Sequence, residues 1–231
     1  MKKILAMILV AVLLLSFAAC NKNDDPAAKS EGVMTYAEYA AAALDSEVVI
    51  EAYVQAHQSW WDNKITVYAQ DPDGAYFLYE MACSEEDAAK LTKGTKIKVT
   101  GHKAEWAGEV EIIDATFEIL EGNWVAEPTD VTSLLGKDEL IEKQNMLVEF
   151  KGLTVESIEF KNGTPGDDIY VNVSLNGATY SFCVEMYLTG PDTDVYKTVE
   201  TLQPGNVVNI TGFLYWYEGV NTHITGVELA A

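Results

Sequence analysis

The chain is predicted to be an all-β protein with short helices, folded as two tandem five-stranded Greek-key barrels. The first ground is a repeat at fixed offset. Leu91, Gly94, Thr100, Gly101 and Gly108 return 111 positions later as Leu202, Gly205, Thr211, Gly212 and Gly219. Between them Ile97 and Val99 become Val208 and Ile210, and Trp106 becomes Tyr217. Self-similarity at constant spacing means that one supersecondary unit is used twice. The second ground is period-two hydrophobic alternation, the mark of half-buried strands. The third is the count: each unit reads as five such segments, with one helix or helical turn between the third and fourth.

At the N-terminus Lys2 and Lys3 precede an apolar run from Ile4 to Phe17, and Ala18 and Ala19 lead into Cys20. A basic start, a short apolar core and small residues before the cleavage point mark residues 1–19 as a signal peptide. The run falls short of the roughly 20 apolar residues that cross a bilayer. The Phe17-Ala18-Ala19-Cys20 ending resembles the lipobox of bacterial lipoproteins, with Phe17 where that family usually has Leu. The resemblance implies that Cys20 receives a diacylglyceryl thioether and becomes the mature N-terminus. The bilayer is then a partner through this lipid anchor, and the chain resides outside the cytoplasm, on a bacterial membrane. Residues 20–33 are polar, carry Pro26 and Gly32, and read as the lipidated Cys followed by a flexible tether.

The first unit is placed at 34–120. A helix is expected from Thr35, whose side chain can cap while Glu38 answers three residues later, to about Leu44. Val48, Ile50, Ala52, Val54 and Ala56 then share one face of a strand, with Glu51, Tyr53, Gln55 and His57 on the other. After the loop Gln58–Asn63 a second strand runs through Ile65, Val67 and Ala69. Asp71-Pro-Asp-Gly74 is a tight turn, Pro72 presetting φ and Gly74 expected at positive φ. Strand Ala75–Met81 follows, then a short helix capped by Ser84 and ended by Gly94. Strand Thr95–Gly101, a hairpin at Glu105–Glu109 and strand Val110–Ile119 complete the unit.

Residues 121–128 form a linker, in which Trp124 reads as a plug between units. The second unit, 129–231, repeats the order. A short helix is expected near Asp138–Lys143, then strands Met146–Val155 and Ile169–Leu175. Asn176-Gly177 is a strong hairpin signal. Strand Thr179–Met186, a linking segment near Val195–Leu202, strand Val207–Phe213 and a last strand near Thr222–Leu229 follow.

The motif Gly94-x-x-Ile97-x-Val99-x-Gly101, and its copy from Gly205 to Gly212, resembles the fourth strand of OB-fold domains. The likeness covers roughly 46–120 and 145–230, and its short motifs speak to fold far more than to function. An immunoglobulin-like sandwich would need about seven strands per unit.

Composition narrows the chemistry. The fifteen basic residues are all lysine, against thirty-six acids, and the formal charge is -21. Removal of 1–19 takes Lys2 and Lys3 and leaves thirteen lysines, a charge of -23. On this ground nucleic acid is disfavoured as a partner, since phosphates are neutralised by clustered Lys and Arg. Lys90, Lys93, Lys96, Lys98 and Lys103 gather on one stretch and read as a solvated strand face. His57, His102 and His223 show no metal-ligand spacing, and no nucleophile elbow or phosphate loop occurs. Cys183, in an alternating apolar strand, reads as a free buried thiol, with a bridge to Cys83 between the repeats as the alternative in an oxidising compartment. No cofactor, metal or catalytic residue is expected, and the chain is not read as an enzyme. The Asp71 turn, Asp167-Asp168 and Asp192-x-Asp194 read as turns rather than calcium loops.

Aromatic residues are the more specific signal. The likeness to OB-fold domains implies a ligand face flanked by the loop after strand one and the loop between strands four and five. Trp60, Trp61 and Trp106 fall in those loops of the first unit, and Tyr215, Trp216 and Tyr217 in the second of them in the second unit. These six are the candidate ligand-binding residues, a stacking platform for a glycan, peptide or small ligand, with Trp60, Trp61 and Trp106 flanking one groove and Trp216 exposed. The chain thus reads as a membrane-anchored, extracytoplasmic, non-catalytic binding module. The alternatives are a structural component of an envelope assembly and a nucleic-acid-binding accessory module.

Overall fold

A computed structural model describes residues 25–230. Cys20 and the signal segment lie outside the described residues. Among the described residues no helix is long and apolar enough to cross a membrane.

Helix α1 (Tyr36–Ala41) opens on a complete capping box: Glu38 N–H donates to Thr35 Oγ1 at 3.2 Å, and Thr35 N–H donates to Glu38 Oε2 at 2.8 Å. It stops three residues before Leu44. Its last carbonyls are taken from outside, because Lys103 Nζ donates to Tyr39, Ala40 and Ala42 oxygens at 3.1, 2.8 and 3.0 Å. Lys103 is therefore buried, not part of a solvated lysine face. Lys96 also leaves that face, with its ammonium 3.0 Å from the buried Glu51 carboxylate.

The first barrel comprises β1 (Glu47–His57), β2 (Lys64–Gln70), β3 (Ala75–Ala82), β4 (Thr95–Trp106) and β5 (Glu109–Asn123), with α2 (Glu85–Ala88) before β4. It closes in the order β1-β2-β3-β5-β4, with β4 returning to β1. Only β3 and β5 pair in parallel, through Phe77 and Glu111. The core is the inward alternation: Val48, Ile50, Val54, Val67, Leu78, Ile97, Val99 and Ile112 all lie beyond solvent.

The second barrel repeats this ring. After the short β6 (Thr129–Asp130) come β7 (Leu147–Phe160), β8 (Ile169–Leu175), β9 (Ala178–Val184), α3 (Asp194–Glu200), β10 (Val207–Phe213) and β11 (His223–Leu229). Here β11 lies parallel to β9 and β10 pairs back onto β7, the same order and the same single parallel step between the third and fifth strands. Two tandem OB-like barrels are thus the architecture. The Asn176-Gly177 hairpin takes φ of 52° and 85°, as its strand twist demands.

Of the repeated glycines, Gly94, Gly108, Gly205 and Gly219 take positive φ, whereas Gly101 and Gly212 act by closeness. A Cβ on Gly101 would sit 2.8 Å from the Ile113 carbonyl, and one on Gly212 would meet the His223 backbone, each beside a break in strand register. Gly74 likewise lacks the expected positive φ; the Tyr36 ring lies where its Cβ would be. The Asp71 turn holds through its carboxylate, which accepts from the Asp73 and Gly74 amides at 2.7 and 3.0 Å.

The outer face of β1 departs from the expected solvated pattern, because Glu51, Tyr53 and Gln55 are buried. The end of the tether covers it: Lys29 donates to the Glu51 carbonyl at 2.7 Å and pairs with buried Asp71. From the other side Trp124 packs edge-on to Tyr53 at 5.7 Å, and Ala126 N–H donates to Gln55 Oε1 at 2.9 Å. The last part of residues 20–33 is therefore docked on the first barrel rather than free.

Candidate functional site

Between the barrels lies a third cluster, separate from both cores: Tyr68 and Phe77 of the first barrel against Leu147 and Phe213 of the second, with Ala126, Trp124 and Tyr215 closing it. Tyr68 stacks on Phe213 at 4.5 Å, and its hydroxyl bonds His223 Nδ1 at 2.5 Å. Gln70 Oε1 accepts the Leu147 N–H at 2.9 Å. Burial holds His223 neutral, with its pKa lowered to about 4.

The β4–β5 hairpin of the first barrel meets the loop after β10 of the second. Glu218 N–H donates to the Ala107 carbonyl at 2.8 Å. Trp216 N–H donates to the buried Glu109 carboxyl at 2.8 Å, and Gly108 lies so close beneath the Trp216 ring that a Cβ would come within 2.8 Å of it. Trp106 and Tyr217 emerge from this junction side by side, ring centroids 5.2 Å apart and planes inclined by 39°. They are 55% and 47% exposed. Below them Tyr215 stacks flat on His223 at 4.2 Å.

These rings form one wall of an open cleft of about 740 Å³; Asp168, Tyr170, Tyr180, Cys183, Glu185 and Glu218 line the rest. Burial pushes the Glu185 carboxyl up to about 6, against the lowering effect of the Tyr187 and Leu188 amides. Asp168 is held by Lys161 at 2.9 Å and by the Met186 N–H at 3.0 Å. Burial raises the Cys183 thiol far above its ordinary range, which keeps it an unreactive thiol.

The six candidate aromatics are thus divided among three places. Trp106, Tyr215 and Tyr217 share the cleft. Trp60 and Trp61 line a separate recess of about 350 Å³ with Tyr187, so the single groove expected for Trp60, Trp61 and Trp106 is not formed. Trp61 is 71% exposed, whereas Trp60 is half-buried with its indole N–H bonded to the Cys83 carbonyl at 2.9 Å. Trp216, expected at an exposed tip, packs partly into the second core beside Tyr180. The reason is the second hairpin's contact with Gly108: it turns Trp216 inward and Tyr217 outward. Sequence reasoning missed Tyr170, Tyr180 and Glu185, whose approach to Trp106 depends wholly on how the barrels dock.

Among the described residues no group of three or more His, Cys, Asp or Glu is placed to hold a metal ion. No protein-family model and no curated protein matches the chain. Solved structures similar to it include a murine DNA-binding protein bound with double-stranded DNA, at 12% identity over 79% of this chain and 96% of that one, with a TM-score of 0.38. Others are the Ifi202 HINa domain in complex with a 20-base-pair duplex, at 11% identity, 79% and 98% coverage and a TM-score of 0.36, and the tetrameric p202 HIN2, at 11% identity, 81% and 97% coverage and a TM-score of 0.36. The expectation from charge that nucleic acid is disfavoured as a partner is corrected by this finding. Similar structures hold duplex DNA, and that expectation is withdrawn.

Proposed function

We propose that the chain is a non-catalytic binding module, tethered outside the cytoplasm through lipidated Cys20, that takes its ligand in the cleft of the second barrel that Trp106 of the first borders. The observation that carries this reading is the Trp106–Tyr217 pair. Two large rings stand half exposed at the mouth of a concave site, and apolar surface of that size normally turns inward. The rings offer stacking faces to a sugar, an aromatic side chain or another planar group. The backbone bond between Glu218 and Ala107 fixes them before any ligand arrives, which lowers the entropy lost on binding.

The full-length protein in non-ionic detergent, screened on glycan and peptide arrays, tests the reading. The expected result is a ligand whose binding falls by about 1–3 kcal/mol in Trp106→Ala and in Tyr217→Ala, the range for removing a stacked ring. Ligands bound equally by both variants and the parent would overturn the cleft as the site. Duplex DNA belongs in the same screen as a second reading, since it occupies two of the similar structures. Binding with a steep loss between low and moderate salt would favour it.

A further inference from the structure

We propose that the cleft of the second barrel, bordered by Trp106 of the first, selects an organic cation, an ammonium centre with apolar substituents, seated against the Trp106, Tyr215 and Tyr217 rings and faced by the Glu185 and Glu218 carboxylates. This rests on the reading of that cleft as the binding site and adds the charge of the ligand.

Three observations carry it. Aromatic rings line the cleft, and no lysine is among the residues that line it. An aromatic face carries negative potential and attracts a cation held within about 6 Å of its centre, most strongly where water is thin. Secondly, the carboxylates lack a counter-ion in contact: among the described residues neither Glu185 nor Glu218 has an ion-pair partner, while Asp168 is already answered by Lys161. Thirdly, the imidazole in the floor supplies no opposing charge. His223 is buried beneath Tyr215, bonded to Tyr68, and neutral above about pH 4. An anionic occupant would meet like charge from Glu185 and Glu218, with the nearby Lys161 already engaged by Asp168. A neutral one would leave the half-buried Glu185 charge answered by backbone amides alone, with no counter-ion. A cation answers both the rings and the carboxylates. Apolar substituents suit it better than bare hydration, since Trp106, Tyr170, Tyr180, Tyr215 and Tyr217 all contribute to the wall.

Calorimetric titration of the full-length protein in non-ionic detergent, near neutral pH, compares choline with its neutral carbon isostere, in which a tert-butyl group replaces the trimethylammonium. Choline is expected to bind at least tenfold more tightly than the isostere. Trp106→Ala and Tyr217→Ala should each weaken it by about tenfold, in line with a desolvated cation–ring contact. Glu185→Gln should weaken choline and leave the isostere unchanged, which a merely structural role for Glu185 would not do. Thermal melts of the three variants check that the fold is retained. Equal binding of the two probes would overturn the cation assignment while leaving the cleft as a site. No binding of choline, or choline binding indifferent to all three substitutions, would overturn it as well. Failure of the cleft itself reads out separately, as array ligands untouched by Trp106→Ala and Tyr217→Ala.

Discussion

Glu109 shows at the residue scale what the junction between the barrels costs. Its carboxyl has no exposure, accepts from the Trp216 amide and from Gln144 Nε2 at 3.2 Å, and lies near the buried Glu111. Burial first, and then Glu111, push its pKa up to about 8 from an ordinary 4.5. Between those values the folded chain keeps a proton that the unfolded chain has lost. Stability from this group is therefore full below pH 4.5, falls as pH rises, and levels off above about 8. The slope is at most about 1.4 kcal/mol per pH unit. Glu109→Gln should flatten it, matching the parent near pH 5 and exceeding it near pH 9 in urea denaturation; an unchanged slope would count against the assignment. Lys103 is the complementary case, a buried ammonium whose partners are three carbonyls at the end of α1. Lys103→Met should lose about 1–3 kcal/mol, the range for stranding buried acceptors. Hydrogen exchange should then quicken first in α1. Uniform exchange across the first barrel would refute the capping role.

Among elements, β4 and β10 show which features a sequence can reveal. Gly101 and Gly212 stand out through the repeat, and in the structure both let the backbone of the neighbouring strand approach where register shifts. Gly101→Ala and Gly212→Ala should each destabilise by about 1–3 kcal/mol, as overpacking does. Gly152→Ala, where a Cβ would meet nothing within 4 Å but φ is 67°, should cost less, close to the 1–2 kcal/mol of a left-handed residue. A chemical melt of the three variants ranks them, and a Gly152 effect larger than both others would refute the account. The Thr35 box, the Ser84 cap and the Asn176 hairpin were legible for the same reason: each is decided within about four residues of chain. Lys103, Glu109 and Gln55 were not legible, because their partners lie 63, 107 and 71 positions away at Ala40, Trp216 and Ala126. The candidate site divides along the same line. Trp106 and Tyr217 are visible as aromatics in loops; that they touch each other, and that Trp216 turns inward, follows only from docking.

For the whole molecule, the question is whether two barrels behave as one body. The Tyr68–Phe213 stack, the Tyr68–His223 bond and the Gln70–Leu147 bond span the contact, and a separated barrel would expose Tyr68, Phe77, Leu147 and Phe213 to water. Burial of side chains of this size is worth about 1.5–3 kcal/mol each, enough to couple two small domains whose own stabilities are of similar order. Calorimetry should accordingly show one transition for the parent. Phe213→Ala removes the ring at the centre of the contact; a loss of about 3–5 kcal/mol is expected there. That loss should fall on the coupling as well as on the second barrel, so the variant should unfold in two steps. Because Phe213 also ends β10, directly before Leu214 and Tyr215, the cleft wall should loosen with it, and ligand binding should weaken although Phe213 does not line the cleft. Two transitions in the parent, or a variant that still melts in one with binding intact, would mean that the barrels are merely adjacent. The cleft would then owe its shape to the Ala107–Glu218 junction alone.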